Sequence, residues 1–121
     1  MLYYGPIFPK GGGTVGTYIM LSTLSDGGRK VLRERPGWIR KVNRELEGMG
    51  VKVRAQYAVL GPYDFVTVVD APDNETISRV SIELGARGSV QMMTLAAIPL
   101  DTFFARLESG RRPRARKPKR R

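Results

Sequence analysis

The chain has no cysteine and no histidine among its 121 residues. Without cysteine there are no disulfides, no thiolate nucleophile and no cysteine metal site. Without histidine the commonest general base and the commonest metal ligand are missing, and haem held through histidine is excluded. No metal and no cofactor are therefore expected. No apolar run is long enough to span a bilayer. The opening stretch MLYYGPIFPKGGGTVG lacks the basic start and long apolar segment of a signal peptide. No membrane partner is expected, and the cytoplasm is the default location.

Basic charge is plentiful overall and scarce in the folded part. The net charge is +10, but Arg111, Arg112, Arg114, Arg116, Lys117, Lys119, Arg120 and Arg121 supply eight of the positive charges. The remainder holds 13 basic and 11 acidic residues, a balance of only +2. The expected division is a flexible leader over 1–14, a domain over 15–108 and a disordered basic tail over 109–121. Such a tail suits weak nonspecific contact with nucleic-acid phosphates, or acts only as a solubilising terminus. No aromatic interleaves it, so sequence-specific reading is not expected.

The domain is organised around VKVRAQYAVLGPYDFVTVVDAPD, residues 51–73. Two runs rich in β-branched and aromatic residues flank Gly61-Pro62, a hairpin signature. The register sets Leu60 against Tyr63, Val59 against Asp64 and Tyr57 against Val66. Strict alternation puts Val51, Val53, Ala55, Tyr57, Val59, Asp64, Val66 and Val68 on one face. That face is almost wholly apolar and is expected to lie under helices. Lys52, Arg54, Gln56, Ala58, Leu60, Tyr63, Phe65, Thr67 and Val69 then share the other.

An earlier strand is expected over Val15–Leu24, with both faces largely apolar. Ser25 or Asp26 caps a helix reaching Met49, broken near Pro36-Gly37. Trp38, Ile39, Val42, Leu46 and Met49 recur on its inner side. After the hairpin, Asp73 or Asn74 caps a helix over Glu75–Ala86 whose core face is Ile77, Val80, Ile82 and Leu84. A strand over Ser89–Pro99 and a short helix over Leu100–Leu107, packing Phe103, Phe104 and Leu107, complete the domain. The order βαββαβ predicts an α+β, ferredoxin-like fold with a four-stranded antiparallel sheet. Two helices cover one face of such a sheet. The other is too apolar to stay wet, so a homodimer with face-to-face sheets is expected, a dimeric α/β barrel enclosing a space.

At Leu60-Gly61-Pro62-Tyr63-Asp64 the chain resembles the GYD domain, a small bacterial family named for a glycine, tyrosine and aspartate motif. The resemblance covers residues 17–107. Ala71-Pro72-Asp73-Asn74-Glu75-Thr76 is similar to the family's acidic segment, with Asp70 standing where glutamate is expected. Gly28, Arg33 and Pro36 fit its upstream spacing. Thr94-Leu95 with Ala97 fits its last strand, with Ala96 in place of a basic residue. The resemblance implies a dimeric α/β barrel and no settled activity. Related barrels include cofactor-free monooxygenases, lactone isomerases and ligand-sensing regulatory domains, so an enzyme of the monooxygenase or isomerase kind is the alternative to a binding protein.

Asp64, Tyr63 and Tyr57 are the candidate catalytic residues, with the carboxylate as acid or base and the hydroxyls orienting a substrate. The competing reading, which we prefer, has Asp64 accepting backbone N–H groups from Ser25 to Gly28 at a helix start. Tyr63, Phe65, Gln56, Arg54 and Thr67 are the candidate ligand-binding residues, facing the space between the sheets. Gly27-Gly28 reads as a flexible start to the helix, with an anion site at its backbone amides the alternative.

Overall fold

The computed structural model describes residues 16–116, with side chains through Gly110. The expected leader over 1–14 lies outside the described residues. So do Lys117, Lys119, Arg120 and Arg121, and the side chains of Arg111, Arg112, Arg114 and Arg116. The elements run β1 (Gly16–Leu24), α1 (Asp26–Glu34), α2 (Trp38–Gly48), β2 (Lys52–Ala58), β3 (Phe65–Ala71), α3 (Asn74–Gly85), β4 (Val90–Ala97) and α4 (Leu100–Arg116). One antiparallel sheet has the order β2-β3-β1-β4. This is the ferredoxin-like α+β arrangement.

The helices begin and end where local chemistry demands it. Ser25 accepts the Gly28 N–H at 3.0 Å and caps α1. Pro36 separates α1 from α2 because it has no N–H to continue the ladder. Asp73 accepts the Thr76 N–H at 2.8 Å and caps α3. Pro99 stops β4, and α4 starts at the next residue. That last helix runs past the expected Leu107 to Arg116, into the basic segment.

The core lies between the helices and one sheet face. Tyr18 and Met20 of β1 and Val69 and Ala71 of β3 pack with Leu46, Val51, Ile77, Val80 and Leu84. Thr67 and Val69 are therefore on the covered side, and Val66 and Val68 on the open one. This reverses the expected faces for β3 and for β2 beyond Arg54, while Val51 and Val53 lie under the helices as expected. The pairing itself is as expected, with Tyr57 opposite Val66 and the Val59 N–H bonded to the Asp64 carbonyl at 2.9 Å. The cause is a β-bulge. Val53 pairs with Val69 but Ala55 pairs with Val68, so Arg54 is an extra residue in β2. Val51 and Val53 pack towards the core before the bulge, and Gln56 takes that side after it. Strict alternation carried on past Val53 without that extra residue, and so placed Ala55, Tyr57, Val66 and Val68 under the helices.

Two further expectations change. Ile82 is exposed, because it falls on the opposite side of α3 from Ile77, Val80 and Leu84. Phe103, Phe104 and Leu107 remain about half exposed on α4.

Candidate functional site

The bulge splits the expected ligand-binding set in two. Gln56, Phe65 and Thr67 lie under α2, not towards the open face. Gln56 Nε2 donates to Thr67 Oγ1 at 3.1 Å and to Asn43 Oδ1 at 3.3 Å, and Asn43 Nδ2 donates back to Gln56 Oε1 at 2.8 Å. The pair joins α2 to the sheet and satisfies polar groups the helix layer would otherwise strand. Asn43 was not foreseen, because it sits among the charged residues of the wet side in sequence.

Arg54 and Tyr63 belong to the open side. The Tyr63 hydroxyl lies 3.6 Å from Met93 Sδ. Tyr57, opposite Val66, is 59% exposed. Arg54 Nε sits 3.0 Å from Asp70 Oδ2. Asp70 is buried, and Thr17 Oγ1 donates to its other oxygen at 3.4 Å. Burial holds the Asp70 carboxyl above the usual aspartate range, against the opposing pull of Arg54, the Thr17 bond and Lys52. Neither the pair nor its raised carboxyl was foreseen. The sequence signal is Arg54 inside an apolar run with an aspartate at the far end of the facing strand.

Asp64 sits elsewhere. Its Oδ2 accepts the Leu24 N–H at 2.8 Å, and its own N–H donates to the Ser22 carbonyl at 2.8 Å. Arg29 of α1 stands 3.8 Å away. The carboxylate thus clasps the end of β1, one residue before the expected span of acceptor contacts. Among the described residues neither Tyr63 nor Tyr57 is hydrogen-bonded to Asp64. Gly28 is buried, and its amide is taken by Ser25. A Cβ there would meet the Ser89 carbonyl oxygen at 2.3 Å, so glycine answers a close approach of backbone to backbone.

The open face is apolar: Ile19, Leu21, Val66 and Val68 line its middle, and Met93 and Leu95 are 51% and 44% exposed. At one end Thr17, Ile19, Val68, Ala97, Leu100 and Asp101 border a hollow of about 420 Å³. Among the described residues no group of three or more acidic side chains could hold a metal ion, and no helix is long and apolar enough to cross a membrane.

The chain has a relative of known name in Thermus thermophilus. The chain is 55% identical over 93 residues to this relative, the glutamine synthetase and cystathionine beta-lyase binding protein, covering 76% of this chain and 98% of that one. Residues 18–106 match the GYD domain, and the chain belongs to the GYD domain family.

Proposed function

We propose that this protein is a homodimeric binding protein that docks on metabolic enzymes, with glutamine synthetase and cystathionine β-lyase the first candidates. The open sheet face carries the dimer. Ile19, Leu21, Val66, Val68, Met93 and Leu95 form a continuous apolar surface on the side away from α2 and α3, of a kind that soluble monomers seldom leave wet. A second copy stacked sheet to sheet covers it. The hollow beside Thr17 and Asp101 then becomes an internal space for a small molecule, with the Arg54–Asp70 pair near by.

The enzyme-binding role is supported by the Thermus relative, whose name states it and whose length the chain spans almost entirely. Binding suits the geometry better than turnover, since Asp64 is engaged by Leu24 and Arg29 and, among the described residues, neither Tyr57 nor Tyr63 is hydrogen-bonded to it. A cytoplasmic location accords with such partners.

Two measurements test the proposal. Sedimentation equilibrium at micromolar concentration is expected to return twice the chain mass; a monomer sinks the sheet-stacked dimer. The purified protein is then titrated against glutamine synthetase and against cystathionine β-lyase from its own organism. Saturable binding to either supports the role, and binding to neither removes it.

A further inference from the structure

We infer that the covered side of the sheet holds a second binding site, for a small neutral molecule with a compact apolar body and a carbonyl head. It lies in the cleft between α2 and the sheet, on the opposite side from the proposed dimer face. Trp38, Ile39 and Val42 of α2 form one wall, Met92 of β4 contributes an edge, and Ser22 and Thr67 are part of the sheet side. The cavity is about 60 Å³, room for about four to six water-sized groups. That suits a fragment of branched-chain size, not a nucleotide or a flavin.

The polar groups define the head. Ser22 is 9% exposed, and its hydroxyl has no hydrogen-bond partner among the described residues. Thr67 is 4% exposed and its oxygen accepts from Gln56, which leaves its own hydrogen to donate. Thr67 stands opposite Met20, so Ser22 is its diagonal neighbour on the same face. Buried hydroxyls are ordinarily satisfied. A carbonyl oxygen has two lone pairs and accepts from both. Asn43 and Gln56 are already engaged with each other. Among the described residues Arg87 is the one charged residue lining the cleft, and its guanidinium is 2.6 Å from Glu45. An anionic head would therefore enter with its charge uncompensated, which is costly in an apolar site. The ligand is neutral for that reason.

The test uses the full chain labelled with ¹³C at the methionine methyl groups and titrated with isobutyramide. Met20 and Met92 line the cleft, while Met93 sits on the open face and reports on any other site. Saturable shifts are expected at Met20 and Met92 with Met93 unmoved, at an affinity on the order of millimolar for so small a probe. Isobutyrate, the same shape with a charge, is expected to bind at least about tenfold more weakly at neutral pH. Ser22→Ala is expected to weaken isobutyramide by about three- to tenfold while leaving the melting temperature unchanged, because no bond within the protein is lost. Absent or non-saturating shifts at Met20 and Met92, equal shifts at Met93, or equal affinity for isobutyrate overturn the inference. So does a Ser22→Ala variant that binds as well as the parent, or one that melts earlier.

Discussion

Asp70 is a carboxylate held largely out of water, and the consequence appears in acid. Its folded-state pKa is raised above the ordinary 3.8, with burial the main cause. In the pH range just above that value the folded chain holds the proton more tightly than the unfolded chain. Stability from this residue is therefore full below 3.8 and declines as pH rises through the raised value. Urea midpoints measured from pH 4 to 7 are expected to show it as a difference. Relative to Asp70→Asn, the parent loses stability as pH climbs; parallel curves would contradict the assignment. Gly28 gives a second test at this scale. Gly28→Ala pushes a methyl into the Ser89 carbonyl and is expected to cost about 1–3 kcal/mol. Gly27→Ala meets nothing closer than 3.9 Å and is expected to be neutral or stabilising by up to about 1 kcal/mol. Equal urea midpoints for the two variants would refute the close-packing role.

The β2 strand shows how an element can carry a hidden step. Its extra residue, Arg54, serves Asp70 of the facing strand. Arg54→Met removes the partner of a buried charge and is expected to cost about 3 kcal/mol. Adding Asp70→Asn is expected to recover most of that loss, a coupling a double-mutant cycle in urea measures directly. Additive losses would mean the two residues do not depend on each other. The same strand explains what was legible in sequence. Capping serine and aspartate, the proline break and the hairpin pairs are local signals, and all were readable. The bulge has no such mark: nothing in VKVRAQYA distinguishes an extra residue from an alternating one. Gln56 and Thr67 were thus recognised as polar and placed on the wrong side. Gln56's partner Asn43 comes from a helix 13 residues away, a contact no local pattern announces.

At the scale of the molecule, the open sheet face makes a simple demand. Leu95→Lys puts a charge in its midst and is expected to yield a monomer by sedimentation while the circular dichroism stays that of the folded chain. An unaltered dimer would move the interface elsewhere. The basic tail is separable from that question. We expect any retention on DNA at low salt to vanish when residues 109–121 are deleted, and retention without them would place the contact on the domain. The order of the strands has a mechanical side as well. Thr17 at the start of β1 lies directly across from Ala97 at the end of β4. Force applied between those two points therefore loads the β1–β4 ladder at one end, and its hydrogen bonds give way in succession, not together. Pulled this way the domain should open like a zipper at low force, whereas a pull between Thr17 and Gln91, at opposite ends of the same ladder, strains all its bonds at once and should meet far more resistance.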